Sequence, residues 1–438
     1  MSEFAAKPPR LAAFQHRDFR LLWAGQLISQ TGTQMQLTAV NWHIFDLLQG
    51  QTWTLNALGL SATLDARAVG LGILGLVRIG PIVVFALLGG MIADTHDRRR
   101  VMMVTQTVAG VSAGLLALAT FAGINQLWVI YVLTAINASA MAFDNPSRQA
   151  LVPSLVPREH LTNALSLNTT LMQVVSILGP ALGGFAIATW NLGSIYAVNA
   201  ASFGAVILAL ALMRHRAAPA APRSAITLSG MLEGARFVYR ERIIWSTMLL
   251  DFFATFFASA RTMLPLIAKD ILGADVITYG LLSSAQAVGS LVAGVVLSLR
   301  HSIPKQGPVL LVSVALYGLA TALFGLSTNF MLSFALFAIS GAADTISTVI
   351  RGTMRQLLTP DHLRGRMVGV NMMFFMGGPQ LGELEAGLVA SAWGIVASVV
   401  SGGLLTFGLT LWVAWRYPRL REYEGVPAIR PPAPAPAA

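Results

Sequence analysis

The chain contains no cysteine. That excludes disulfides, thiolate nucleophiles and cysteine-held metals, and leaves the redox compartment unread. Charge is scarce too: Asp, Glu, Lys and Arg together make 11% of 438 residues, against 55% hydrophobic. A phosphate-cradling G-x-x-x-x-G-K-[ST] loop is absent, so ATP is excluded as the energy source. The seven histidines never fall in a metal-ligand spacing, and no Ser-His-Asp constellation assembles at one depth. The sequence reads as neither an enzyme nor a metalloprotein.

What is present is apolar length. Twelve stretches, near 20–47, 69–93, 101–122, 127–151, 162–189, 193–213, 243–268, 277–299, 308–326, 329–358, 366–391 and 394–415, carry few charges. Each reaches the roughly 20 residues a helix needs to cross about 30 Å of hydrocarbon. The fold class expected is an all-α membrane protein with twelve transmembrane helices. The net charge of +10 comes almost wholly from arginine. Basic residues punctuate the ends of spans rather than cover a solvated face, which argues for membrane orientation and against nucleic acid. Of 29 Lys and Arg, only Arg67 and Lys269 fall in loops read as external, while Arg78 and Arg261 sit inside spans. This asymmetry puts both termini in the cytoplasm. No short apolar core with a cleavage site follows Lys7, Arg10, Arg17 and Arg20, so the first span is read as its own insertion signal.

The organisation expected is a cytoplasmic segment 1–19, a six-helix bundle 20–213, a cytoplasmic linker 214–242, a second bundle 243–415 and a disordered tail 416–438. In the linker, Pro219, Pro222 and Arg223 precede "SGMLEGARFVYRERI". That segment reads as an amphipathic helix capped by Ser229, with Met231, Leu232, Ala235, Phe237 and Val238 on its apolar face. The two bundles are repeats. Arg148 is followed nine residues on by Pro157 and then His160-Leu161; Arg351 is followed nine residues on by Pro360 and then His362-Leu363. Gly179-Pro180-x-x-Gly183-Gly184 likewise answers Gly378-Pro379-x-x-Gly382-Glu383. Parallel six-helix repeats around a central site are a transporter architecture.

The segment "GGMIADTHDRRR" at 89–100 resembles the signature loop of the major facilitator superfamily. Gly90, Asp94, Arg98 and Arg99 match; Thr95 stands where a basic residue is usual and Asp97 where Gly is usual. The Gly-Pro-x-x-Gly-Gly run resembles the end of that family's antiporter motif, with Val175 in place of an upstream glycine. "NPSRQALVPSLVPREHLTNALSLN" and "ARTMLPLIAKDILG" look like the transmembrane secretion effector subgroup, which holds the enterobactin exporter and drug-efflux carriers. The resemblance implies the major facilitator fold, two pseudo-symmetric six-helix bundles working by alternating access. It implies a monomer in the bacterial cytoplasmic membrane that exports a siderophore, drug or other amphipathic small molecule. A proton gradient drives it and no cofactor is needed. An uptake symporter, a lipid-flipping carrier and a non-transporting scaffold or sensor are the rival readings.

Ionisable groups inside spans are costly and need a reason. From a rise of 1.5 Å per residue, Asp251 and Asp344 are both read at about 10 Å from the cytoplasmic boundary. They bind a proton or a cationic substrate group, or else accept hydrogen bonds from neighbouring helices. Asp344 also lies seven residues before Arg351, whose counterion it then is. Arg261, Glu383 and Glu385 lie deeper. Glu383 and Glu385 sit about 200° apart on the helix, so one is expected to meet Arg261 and the other Arg78, as a gate or as a permanent ion pair. Asp144 and Arg148, spaced i, i+4, are expected to form a conformational lock with Asp94 and Arg98 of the loop. Gly179, Pro180, Gly183, Gly184, Gly378, Pro379 and Gly382 serve close packing and bending. Phe252, Phe253, Phe256 and Phe257, with Met372, Met373, Phe374, Phe375 and Met376, offer an adaptable apolar lining.

Overall fold

The computed structural model describes residues 11–57, 60–214, 228–300, 303–360 and 363–425. In chain order the helices are α1 (Arg17–Leu47), α2 (Ala66–Thr95), α3 (Arg98–Phe121), α4 (Leu127–Leu151), α5 (Leu161–Thr189), α6 (Leu192–Leu212), α7 (Leu228–Arg240) and α8 (Arg242–Phe257). They continue as the short α9 (Leu264–Leu266), α10 (Val276–Ser298), α11 (Gln306–Leu326), α12 (Phe330–Leu358), α13 (Arg364–Trp393), α14 (Ile395–Arg416) and the short α15 (Pro418–Arg421). Nine helices among the described residues are long and apolar enough to cross a membrane. α1, α8 and α13 are not among those nine. α1 carries Gln26, Ser29, Asn41 and His43, α8 is 16 residues long, and α13 carries Glu383 and Glu385. Those same three helices supply much of the polar site.

Local chemistry sets the boundaries. Asp65, Asp97, Asn191, Asp275 and Asn329 each accept a backbone N–H of the first turn that follows, as N-caps of α2, α3, α6, α10 and α12. Asp97, the departure from the signature pattern, is therefore a cap. Two expectations are corrected. The stretch between α1 and α2 is no plain loop: Thr52–Ala57 and Leu60–Asp65 pair as an antiparallel hairpin, β1 and β2. The span read as 243–268 is broken after Phe257. Pro265 explains the break, since its ring clashes with a helical carbonyl four residues earlier, at Arg261, and it donates no N–H.

Pairings repeat between the halves. In the first, α1 packs on α5 and α6, α3 on α4 and α6, and α2 on α4. In the second, α8 packs on α13 and α14, α11 on α12 and α14, and α10 on α12. The halves meet along two seams, α2 with α13 and α5 with α10. Apolar side chains such as Val104, Leu118, Leu208 and Val312 point outward, each about 60% exposed or more, as a lipid-facing surface requires. α7 lies against the start of α13. Val238 is buried with Met367 and Val370, and Glu233 pairs with Arg366. The side chains of Ser229, Met231 and Leu232 lie outside the described residues. The tail expected to be disordered begins with α15, where Leu420 is buried and the Tyr423 carbonyl accepts from Gly307 N at 2.8 Å.

Candidate functional site

One end, the termini end, carries α7, the start of α1 and α15, and the other carries the hairpin. At the hairpin end the seams are tight. A Cβ on Gly280 would stand 2.6 Å from Gly184 Cα, and one on Gly387 would stand 2.8 Å from Gly72 Cα. Tyr279 Oη donates to the Thr38 carbonyl at 3.2 Å, and Arg67 of α2 spans to Asp270 at 3.0 Å while holding Asp65 at 2.7 Å. Toward the termini end the same seams part. Glu383 of α13 is buried against α2, yet Phe375, Met372 and Val368, on the same stripe, are 42–51% exposed. On α10, Gly280, Ser284 and Ala287 are buried on α5, while Leu291 is exposed and Gly294 faces open space. The space between the halves therefore opens at the termini end.

Four arginines surround that space. Arg351 of α12 is 2% exposed. Its guanidinium donates to Thr348 Oγ1 at 2.9 Å, and lies 2.9 Å from Asp251 Oδ1 of α8 and 3.7 Å from Asp344 Oδ1. Arg355 approaches Asp251 at 4.0 Å and donates to Asn371 of α13. No basic residue lies within a turn of Asp251 in the sequence, yet two reach it from α12. Asp344 is the counterion of Arg351, and its side chain is 48% exposed. The two carboxylates converge on one nitrogen, Arg351 Nη2, which lies 2.9 Å from Asp251 Oδ1 and 3.7 Å from Asp344 Oδ1.

Arg78 of α2 donates to Asn41 Oδ1 of α1 at 3.0 Å and lies 3.9 Å from Glu383 Oε2 across the seam. The expected pairing of one α13 glutamate with Arg78 is present. The other pairing is not. Glu385 shares its stripe with the exposed Leu381 and Leu388, on the opposite face of α13. Arg261, in the break after α8, is exposed and donates to Gln286 Oε1 of α10 at 3.1 Å.

The lock residues divide. Asp144 is fully buried, 4.0 Å from Arg148, and accepts from Thr105 Oγ1 at 3.0 Å and Gln106 Nε2 at 2.8 Å. These bonds tie it to α3. Arg98 and Arg99 donate to the carbonyls of Ala150 and Ala211, at 3.0 Å each, near the ends of α4 and α6 where the helix dipole favours a cation. The side chain of Asp94, and Gly90 beside it, lie outside the described residues. The glycines pack as repeats require: Gly179 and Gly183 against Gln34, Met35 and Thr38 of α1, Gly378 and Gly382 against Phe252, Thr255 and Phe256 of α8. Pro180 and Pro379 lie inside α5 and α13. Of the aromatic lining, Phe252 stacks on Phe256 and meets Phe374 edge-on, so those rings pack α8 on α13. Met373 and Met376 side chains lie outside the described residues. Asn41, Gln286 and Asn371 went unremarked in the sequence; their one signal was an amide inside an apolar run.

Two repeated helical halves, glycine seams and arginine–carboxylate pairs in the space between them define a membrane transporter of the major facilitator type. The transmembrane secretion effector family is matched over residues 9–437, and the chain belongs to that family. Among curated relatives, the enterobactin exporter EntS of Citrobacter koseri is 27% identical over 424 residues, covering 96% of each chain. That of Escherichia coli O1:K1 is 26% identical over 401 residues, 90% of this chain and 91% of the relative. Solved structures share the fold. A bacterial homologue of ferroportin in an inward-facing state superposes with TM-score 0.67 at 16% identity, covering 91% of this chain and 98% of the other. A bacterial homologue of the lysosomal transporter Spinster, inward-facing and occupied, gives 0.70 at 14% identity, over 94% and 99%.

Proposed function

We propose that this transporter is a proton-coupled exporter of a siderophore, drug or other amphipathic small molecule in a bacterial cytoplasmic membrane. Twelve segments cross as two parallel six-helix bundles, both termini are cytoplasmic, and the monomer is the working unit. The proton gradient is the energy source and no cofactor takes part. The basic-residue asymmetry supports the orientation, which makes the opening at the termini end the loading pose of an exporter. Similarity to enterobactin exporters supports export over uptake.

The observation that carries the coupling is one guanidinium shared by two carboxylates of unequal exposure. Arg351 lies 2.9 Å from buried Asp251 and 3.7 Å from half-exposed Asp344. Asp344 is the accessible partner, so it takes and gives the proton; Asp251 keeps Arg351 compensated meanwhile. Neutralising Asp344 loosens α12 from the cluster and biases one orientation of the halves over the other. The test is flux of enterobactin in proteoliposomes. Asp344→Asn is expected to cut pH-driven flux by about tenfold or more, within the range of coupling energies, and to spare enterobactin–enterobactin exchange. Unchanged pH-driven flux in Asp344→Asn overturns this assignment. Wild-type protein that moves enterobactin and ethidium in neither direction overturns the export reading.

A further inference from the structure

Charges around the space between the halves nearly balance, and the imbalance has an address. Around the space between the halves stand four guanidiniums, Arg78, Arg261, Arg351 and Arg355, and three carboxylates, Glu383, Asp251 and Asp344. Three of the arginines have a carboxylate within 4.0 Å. Arg261 is the fourth. It donates to a neutral amide, Gln286 Oε1 at 3.1 Å, and no carboxylate among the described residues lies within 4.0 Å of it. It is also the exposed member of the set, whereas Arg351 is 2% and Arg355 7% exposed. Arg261 acts through space on Glu383 and Asp344, which already compensate Arg78 and Arg351. A cation at membrane depth that must share its counterions is costly, and a protein that retains one has a use for it.

The site around it is built. Pro265 interrupts the helix so that Arg261 leaves α8 in irregular backbone, and such backbone at membrane depth occurs where it lines a cavity. Gln286 presents its carbonyl to Arg261 because its amide nitrogen donates to Ser340 Oγ of α12 at 3.2 Å. Ser340 is fully buried. Tyr317 donates to the Ala258 carbonyl at 3.2 Å and steadies the end of α8. Part of the fork is thereby fixed, and its remaining N–H donors are free for an acceptor from the solvent side. A guanidinium held by one amide presents a planar, bidentate donor pair, the geometry that suits a carboxylate, phenolate or sulfonate. Phe375 and Met372, exposed on the α13 stripe that lines the same opening, supply an apolar surface for the rest of the molecule.

We propose that Arg261 anchors an anionic group of the transported molecule, which makes the substrate class amphipathic organic anions and not cations. The anion completes the charge balance of the transport domain when it binds. Its arrival neutralises the site and favours reorientation; the empty carrier keeps one guanidinium in excess of the carboxylates around the space. The inference rests on the export reading and narrows it.

The experiment compares three naphthalenes of one shape: 1-naphthoate, 1-naphthalenemethanol and 1-naphthylmethylammonium. Their binding to purified full-length protein in lipid nanodiscs is read from the shift in thermal midpoint, and nanodiscs without protein serve as the blank. Naphthoate is expected to raise the midpoint more than the alcohol, and the ammonium least. Arg261→Gln is expected to weaken naphthoate binding by about tenfold or more, as loss of a charge-assisted hydrogen bond does, and to leave binding of the alcohol unchanged. Arg261→Lys keeps the charge and is expected to retain part of the preference. Gln286→Leu, which removes the amide and no charge, serves as the second variant should Arg261→Gln fold poorly; it is expected to weaken naphthoate selectively. Preference for the ammonium overturns the proposal, as does naphthoate binding that is indifferent to Arg261 or no binding by any of the three. No flux is measured, so a cation-selective site leaves the export reading standing, and a failed vesicle assay leaves the anion site standing.

Discussion

Asp251 and Asp344 flank the same arginine, and their unequal exposure separates their consequences. Asp251 is 4% exposed at its side chain and compensates both Arg351 and Arg355. Asp251→Asn leaves buried Arg355 with no carboxylate within 4.0 Å and Arg351 with Asp344 alone, and breaking a buried pair costs about 3–5 kcal/mol. The variant is expected to lose thermal stability and yield. Asp344→Asn removes a partner whose side chain already meets solvent, and is expected to fold with a midpoint near that of the wild type. Thermal unfolding of the two purified variants checks this; equal destabilisation would refute the division of roles. Glu385→Gln is expected to leave pH-driven flux unchanged, because that carboxyl sits on the exposed stripe with Leu381 and Leu388 and away from the seam. The sequence made each of these ionisable groups visible, since charge inside an apolar run stands out. It did not reveal their partners. Whether Asp251 is paired depends on α12 lying beside α8, a neighbour a hundred residues along the chain. The exposure of Asp344 was not legible for the same reason: it depends on how α12 sits against the opening.

At the scale of helices, glycine does the work that the repeats foreshadow. Gly184 and Gly280 meet backbone to backbone across the α5·α10 seam, as do Gly72 and Gly387 across α2·α13. The Gly-Pro runs were read as close-packing sites; their partners, α1 for Gly179 and Gly183 and α8 for Gly378 and Gly382, come from the structure. Gly280 was not singled out, because a glycine inside an apolar run has no signature until its partner helix is known. A methyl on Gly280 would stand 2.6 Å from Gly184 Cα and 2.8 Å from the Pro180 carbonyl, both backbone atoms that cannot yield as a side chain does. Gly280→Ala is therefore expected to pry the hairpin end apart and raise the population open on that side. Spin labels at Thr189→Cys on α5 and Ala274→Cys before α10 report the change as a longer distance in pulsed electron resonance. An unchanged distribution would mean that the seam is slack. The break in α8 was missed, although Pro265 was present to announce it; an apolar run long enough to span concealed a helix that stops halfway.

Two seams closed at one end and parted at the other make the whole molecule a lever, and that geometry predicts a reciprocal motion. If the halves rock as rigid bodies about the middle of the seams, opening the hairpin end must close the termini end. A scaffold that kept the fold without transport has no reason to move. The cysteine-free chain permits a direct test with two label pairs on the same seam. One pair is Thr189→Cys with Ala274→Cys at the hairpin end; the other is Glu159→Cys with Arg300→Cys at the termini end, both of those residues being exposed. Addition of substrate or a shift of pH is expected to lengthen one distance and shorten the other, in the same proportion of molecules. The reading on orientation is checked with single cysteines from the same set. An impermeant maleimide added to intact cells is expected to modify Thr328→Cys, just before α12, and to spare Glu159→Cys; the reverse would turn the transporter over in the membrane and make an importer's loading pose of the opening described here. Distances that change at one end alone would mean that the hairpin end is a local gate, its Arg67–Asp270 pair opening without the rest. Distances that never change under any ligand or pH would leave the glycine seams as static packing and the shared arginine as a structural ion cluster.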